Sequence, residues 1–393
     1  MKKLLIILLI IPFLMTGCWN YSELNTIAIV TGFSVDYEND EYNVSMLIAN
    51  SKKNESSSKE GESQTTVYSG SGKTLSDAIK EIERKSPKSV YIGHLSVVVI
   101  SEDVAKRGIF DMSDLLLRSA ESRKKFYFLQ ARDSSARDIL SLVMPLESFP
   151  SHGIAALLKT TSEAQAITTT VPYSYFITDV LKPGVNPTLP TVEIIGDADE
   201  GKKSSSLETT KIKTYLKVSD LAIFKDDKFV SYAENDDSQM INILNSNTNS
   251  LLTTVNNDNL SIGFNLTGLK ANTDLVDPAH IKIKVTGKAD IREINNKINL
   301  EESKTVDEIQ EILNKNLKGR LKDTLDTVQY KYKTDVFGYG NIIYKEYPKL
   351  WKKIEKDWDD VYFPKVNVEI DTDIKIVSTG SLKQTIKEVK WQK

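Results

Sequence analysis

Cysteine and histidine are scarce in this sequence. Its 393 residues include one cysteine, Cys18, and three histidines. A single cysteine cannot form an internal disulfide, and zinc or iron sites of the usual His/Cys type need several such ligands. The sequence therefore predicts neither a disulfide framework nor a bound metal ion.

An excess of charge of either sign is also missing. The chain carries 51 Lys and Arg against 54 Asp and Glu, a formal charge of −3. A protein that neutralises nucleic-acid phosphates usually shows a basic excess or a basic stripe, so we predict no nucleic-acid partner. With 40% hydrophobic and 27% charged residues, the composition is that of a globular protein.

Long apolar runs are absent after residue 15, and the one apolar run before it is short. Leu4 to Met15 is apolar apart from Pro12, and it follows Lys2 and Lys3. A membrane-spanning helix needs about 20 apolar residues. A short apolar run behind positive charges is instead typical of a secretory signal peptide. We therefore predict a signal peptide and no spanning helix.

The residues after the apolar run indicate lipidation. Met15-Thr16-Gly17-Cys18 is similar to the lipobox of bacterial lipoproteins, with Met15 where Leu is usual. We predict that residues 1–17 are cleaved and that Cys18 carries a diacylglycerol. Each buried CH₂ contributes about 0.8 kcal/mol, so two acyl chains hold a protein on a membrane. The alternatives are a buried, unmodified cysteine and an intermolecular disulfide.

Strand and helix patterns predict an α+β fold in three domains, each with a mainly antiparallel sheet. The expected domains are an N-terminal α+β domain at 18–190, a small middle domain at 191–257 and a C-terminal α+β domain at 258–393. The middle domain is predicted from a hairpin over Lys217–Phe224 and Lys228–Tyr232.

The C-terminal domain has the clearest pattern. Apolar residues recur at helical spacing from Lys304 to about Tyr332, and a second helix is predicted after Gly338-Tyr339-Gly340. We expect these two long helices to pack on one face of an antiparallel sheet. Elsewhere, Met240–Leu252 is predicted as a helix and Pro172–Pro190 as irregular chain.

Candidate catalytic and metal sites are weak. Gly70-Ser71-Gly72-Lys73-Thr74 resembles part of a phosphate-binding loop, but Val67 stands where its first glycine is needed, which favours a turn into a helix that Thr74 caps. The acidic cluster of Asp357, Asp359 and Asp360 lacks the spacing of a calcium loop, which favours a solvated surface.

Other reactive or aromatic residues also favour structural roles. No G-x-S-x-G nucleophile elbow is present in the sequence. His94 is predicted to be structural, and the pair Trp351 and Trp358 to lie in a core or an interface. We therefore predict no catalytic residue, no cofactor and no enzymatic activity.

Several segments, taken together, resemble the Ger(x)C family of spore germination lipoproteins. Cys18-Trp19-Asn20-Tyr21-Ser22-Glu23-Leu24 is similar to the start of the mature family members, with Asn20 in place of Asp. Further similar segments are Tyr91–Leu95, Leu117-Arg118, Leu221–Lys225 and Thr334–Gly340, followed by Trp351, Trp358 and the strand that ends at Gly380.

The resemblance implies a C subunit of a nutrient germinant receptor. Such subunits sit on the inner membrane of the spore beside two integral-membrane subunits, A and B, and have a three-domain α+β fold. The resemblance leaves open whether this subunit binds a nutrient itself. The alternatives are a solute-binding lipoprotein of a transporter, which usually has two α/β lobes, and a lipid-anchored hydrolase.

Overall fold

The computed structural model describes residues 26–50, 64–118, 124–257, 260–295 and 298–380. Cys18 and the predicted signal peptide lie outside these ranges. Within them, no helix has both the length and the apolar character needed to cross a bilayer.

Strands and helices alternate irregularly along the chain. The strands are β1 Ile27–Glu38, β2 Glu41–Ala49, β3 Thr65–Gly72, β4 Ser89–Tyr91, β5 Val97–Ile100, β6 Tyr127–Arg132, β7 Thr188–Ile195, β8 Tyr215–Lys225, β9 Lys228–Tyr232, β10 Ser250–Asn257, β11 Leu260–Asp277, β12 His280–Ile294 and β13 Asn367–Ser378. The helices are α1 Leu75–Lys85, α2 Glu102–Arg107, α3 Phe110–Arg118, α4 Ala136–Ser141, α5 Pro150–Gln165, α6 Tyr173–Leu181, α7 Ala198–Gly201, α8 Asn235–Leu244, α9 Ser303–Asp326, α10 Tyr339–Glu346 and α11 Pro348–Ile354. Short 3₁₀ or π turns cover Ser204–Leu207, Thr327–Tyr332, Glu355–Asp357, Trp358–Tyr362 and Phe363–Lys365.

The first sheet contains nine of these strands. Its order is β3-β2-β1-β5-β6-β7-β8-β9, and β4 pairs with the start of β1. The central strands β1, β5, β6 and β7 are parallel, while the pairs at both ends of the order are antiparallel. Helices α1, α2, α3 and α6 pack on one face, and α4 and α5 pack on the other. The run Val97–Ile100 is therefore fully buried.

The second sheet has the order β10-β11-β12-β13. Only the last pair, β12 with β13, is parallel, because the helices between these strands carry the chain back across the sheet. The stripe predicted on α9, including Ile309, Leu313 and Leu317, is buried against the sheet. The opposite face of the sheet carries polar and charged side chains.

The α+β class is confirmed, but the expectation of three mainly antiparallel sheets is wrong. The strands of segment 191–257 are divided between two sheets: β7, β8 and β9 belong to the first and β10 to the second. The first sheet is mixed because helical connections after β5 and β6 return the chain to the same end of the sheet. The domain boundaries at 190 and 257 stay a prediction.

The predictions for three segments also need correction. The second C-terminal helix is two short helices, because Pro348 lacks the N–H that would continue α10 and begins α11 instead. Segment Pro172–Pro190 contains α6, since a proline at the N-terminal cap is compatible with a helix. Helix α8 ends at Leu244, residues 245–249 form a turn and irregular chain, and the last three residues of the predicted helix, Ser250–Leu252, begin strand β10.

Candidate functional site

The most distinctive polar group in the described part of the chain is Asp335, in the loop between α9 and α10. Its side chain is completely buried. The N–H groups of residues 337–339 donate to its Oδ1 at 2.9–3.2 Å. Its Oδ2 accepts from the N–H of Gly340 at 2.7 Å and from Nε1 of Trp358 at 3.0 Å. Asp335 thus satisfies the free amides at the start of α10.

The electrostatics of Asp335 result from two opposing effects. Burial raises the pKa of this carboxyl to about 7, and the N–H donors from Gly340 and Trp358 oppose that rise. The nearby Asp359 raises it further. Because both oxygens are occupied by protein donors, Asp335 is placed to fix a loop and not to exchange protons with a substrate.

A second carboxylate, Asp359, extends this network to the first sheet. It accepts the N–H of Asp335 at 2.8 Å and the Nδ2 of Asn186 at 2.9 Å. The N–H of Asn186 donates to the carbonyl oxygen of Asp335 at 2.9 Å, and its Oδ1 accepts the N–H of Asp226 at 2.9 Å. Asn186 precedes β7, and Asp226 forms the turn between β8 and β9. The network, which we call the Asp335 junction, therefore joins the two sheets.

The prediction of a solvated acidic cluster is correct only in part. Asp357 and Asp360 are exposed, and Lys225 lies 3.0 Å from Asp360. Asp359 is instead half-buried, and burial raises its pKa. In the described ranges, no three His, Cys, Asp or Glu side chains come together as a metal site.

Two glycines let the backbones meet beside the junction. Gly184 has a φ of +67°, and a Cβ there would lie 2.6 Å from Cα of Gly340 and 2.6 Å from Cη2 of Trp351. Trp351 and Trp358 are buried with ring centroids 5.5 Å apart. Their predicted place in a core is confirmed.

Among the described residues, the remaining sequence candidates take no part in the hydrogen bonds of the junction. Thr74 caps α1 by accepting the N–H of Asp77 at 3.2 Å, as predicted. A Cβ on Gly72 would lie 2.7 Å from Cβ of Asp77, so this glycine permits close strand–helix packing. His94 is exposed, with its ring centroid 5.9 Å from that of Tyr91. Cys18 lies outside the described residues.

Sequence reasoning missed Asp335 and Asn186 as partners. Asp335 belongs to the segment Thr334–Gly340, and an aspartate just before a Gly-x-Gly helix start is a recognisable capping signal. Asn186 gives no such signal, because its partners lie 40 or more residues away.

Comparison with known proteins matches both parts of the chain. The family described as "Spore germination protein N-terminal domain" matches residues 20–194, and the one described as "Spore germination B3/ GerAC like, C-terminal" matches residues 219–380. The Asp335 junction therefore links the two matched regions, since Asn186 lies in the first and its partners in the second.

Curated relatives extend over nearly the whole chain. Spore germination protein KC of Bacillus subtilis (strain 168) is 25% identical, over 98% of this chain and 97% of the relative. Putative spore germination protein YfkR of the same organism is 26% identical, over 96% and 97%. The crystal structure of the GerBC protein superposes with a TM-score of 0.51 at 18% identity, over 88% of this chain and 97% of that one. This last likeness shows a shared fold.

Proposed function

The chain belongs to the Ger(x)C family of spore germination proteins, and from that premise we propose that it is the lipid-anchored, non-enzymatic C subunit of a nutrient germinant receptor. The observation that carries the proposal is the match of both family regions, in order, over residues 20–194 and 219–380. The proposed partners are the integral-membrane A and B subunits, and the proposed location is the inner membrane of the spore.

The position of β1 in the sequence supports a short tether between the first sheet and the membrane. Strand β1 begins at Ile27, so only residues 19–26 separate the sheet from the proposed lipid on Cys18. An extended chain covers about 3.5 Å per residue, which limits this tether to roughly 28 Å. The N-terminal end of β1 would then lie close to the membrane surface.

Deletion of the coding sequence in a spore-forming host tests the receptor role. In a strain without a redundant receptor, we expect spores to lose the response to at least one nutrient, and reintroduction of the wild-type chain to restore it. Normal germination of the deletion spores with every nutrient would refute the proposal.

The anchor has its own test. Cys18→Ala should prevent lipidation and release the chain from the membrane fraction in a host that lacks the A and B subunits, because two acyl chains provide most of the retention. Fractionation after a high-salt wash measures this, with wild-type chain as the control. A cleaved variant that stays in the membrane fraction would show that lipid is not the main tether.

A solute-binding lipoprotein is the alternative, and one groove favours it. The groove has a volume of about 290 Å³ and includes Asp36, Glu81, Lys85 and Arg137. Its charges are largely satisfied within the protein: Lys85 lies 2.7 Å from Glu81, and Asp36 accepts the N–H groups of residues 136 and 137. Few charges are left for a solute, which favours the receptor subunit. Micromolar binding of amino acids or sugars to the isolated chain, measured by calorimetry, would reverse this preference.

A further inference from the structure

The region where α10 and α11 meet the loop before β7 combines exposed apolar side chains with exposed lysines. Leu181, Tyr344 and Tyr347 are 67%, 41% and 41% exposed. Asn341 in α10 binds the loop directly, through its Nδ2 to the carbonyl of Pro183 at 3.0 Å. Leu181, two residues before Pro183, therefore lies near the helix that carries Tyr344.

Lysines dominate the charge of this surface. Helices α10 and α11 contain four lysines and one glutamate, in a chain whose overall charge is −3, and the exposed Asp357 and Asp360 follow after α11. Lys345, Lys349, Lys352 and Lys353 are exposed, and none of the four belongs to an ion pair among the described residues. We call these four lysines, together with Leu181, Tyr344 and Tyr347, the basal patch.

The topology places the basal patch at the end of the molecule where the N-terminus emerges. Strands β1, β5, β6 and β7 are parallel and in register, with Gly32 beside Val97, Val97 beside Tyr127, and Gln130 beside Thr191. They therefore all begin at one end of the sheet. The loop before β7 and the start of β1 share that end, separated sideways by three strand spacings, or about 14 Å.

We propose that the basal patch docks on an anionic lipid surface, as a second membrane contact besides the lipid on Cys18. Tyrosine is favoured at the boundary between headgroups and acyl chains, because its ring is apolar and its hydroxyl is polar. Lysines next to a membrane are attracted by anionic headgroups, and their stems cover apolar surface. This orientation of the protein on the membrane rests on the proposed lipid anchor. Docking through the basal patch would hold the Asp335 junction close to the membrane.

The test uses a chain that carries no lipid. The mature chain, residues 18–393 with Cys18→Ser, keeps the described apolar cores, which are built from Ala28 onward. Co-sedimentation with vesicles of phosphatidylcholine and phosphatidylglycerol should exceed that with phosphatidylcholine alone, and added salt should weaken it. Equal binding to both vesicle types, or no binding to the anionic ones, would overturn the proposal. The second outcome would leave the patch to an acidic protein partner.

A matched pair of variants separates the effect of the basal patch on vesicle binding from the effect of the net charge. Replacing Lys345, Lys349, Lys352 and Lys353 by Gln should reduce binding to anionic vesicles by about tenfold or more. The control variant replaces four lysines on the open face of the second sheet by Gln, namely Lys282, Lys284, Lys288 and Lys375. It removes the same charge and should change binding to anionic vesicles by less than about twofold. Equal losses in both variants would contradict the proposal. Because no lipid is attached, failure here leaves the anchor and the receptor role unaffected.

Discussion

The two sheets of this protein are covered in different ways. The first is mixed, and its central strands are buried on both faces by helices. The second has one face under α9, while the other carries charged pairs such as Lys282 with Glu369 at 3.3 Å. The first sheet therefore has a core on each face, whereas the second has a core on one face, which also includes Leu221 and Ile223 of the first sheet.

One outer strand of each sheet, in contrast, is protected in the same manner. On β3, the N–H of Ser71 donates to Glu81 at 2.8 Å and the carbonyl of Ser69 accepts from Lys85 at 2.8 Å. On β13, Asn314 of α9 accepts the N–H of Ile374 at 2.8 Å. The edges at β3 and β13 are thus occupied by side chains of a covering helix, which hinders pairing with another strand.

The largest expected effect comes from removing the carboxylate of the Asp335 junction. Asp335→Ala leaves five donors without this acceptor, three of them in buried hydrogen bonds, so we expect the free energy of unfolding to fall by about 3 kcal/mol or more. Denaturant unfolding measures it. Asp357→Ala, at an exposed carboxylate of the same region, should change stability by less than about 0.5 kcal/mol. Equal effects would mean that the junction does not hold the second sheet in place.

The same carboxyl predicts a pH dependence. Burial raises its pKa from 3.8 to about 7 in the folded chain. Between these values the folded state keeps a proton that the unfolded state loses, so this contribution to stability falls as the pH rises. The stability advantage of the wild-type chain over Asp335→Asn should therefore shrink from about pH 4 to about pH 7 and then stay constant. An advantage that grows over this window would contradict the assignment.

A glycine pair tests the close backbone contact beside the junction. Gly184 and Gly268 both have positive φ, +67° and +62°, but of the two only Gly184 has neighbours within 4 Å of the position that a Cβ would take. Gly268→Ala should cost about 1 kcal/mol through backbone strain alone. Gly184→Ala should cost roughly 1–3 kcal/mol more because of the clash with Gly340 and Trp351. Thermal unfolding measures both losses of stability, and similar losses for the two variants would refute the role of this contact.

The smallest effect has the opposite sign and concerns the second sheet alone. Gly319 is exposed within α9, and a Cβ there meets no atom within 4 Å. Gly319→Ala should raise the free energy of unfolding by about 0.5–1 kcal/mol, because alanine loses less backbone freedom on folding. If the two sheets unfold in separate steps, calorimetry should place the gain in the step that involves α9. A loss of stability would contradict the open surroundings of Gly319.

Local sequence patterns predicted many of the helices and strands, whereas the sheet order depends on pairing between strands that lie far apart in the sequence. The hairpin of β8 and β9 and the apolar stripe on α9 were predictable because their patterns are local. The membership of β8 and β9 in the first sheet was not, because a hairpin pattern does not say which strand it joins. For the same reason the capping role of Asp335 was within reach of sequence reasoning, whereas its link to Asn186 needed the fold.

Crosslinking in intact spores tests the central claim most directly. A photoreactive residue on the exposed surface of the full-length chain should capture the integral-membrane A and B subunits, identified by mass spectrometry, in wild-type spores and not in spores that lack those subunits. Capture of a transporter permease in place of these subunits would contradict the assignment of this chain as a germinant receptor subunit.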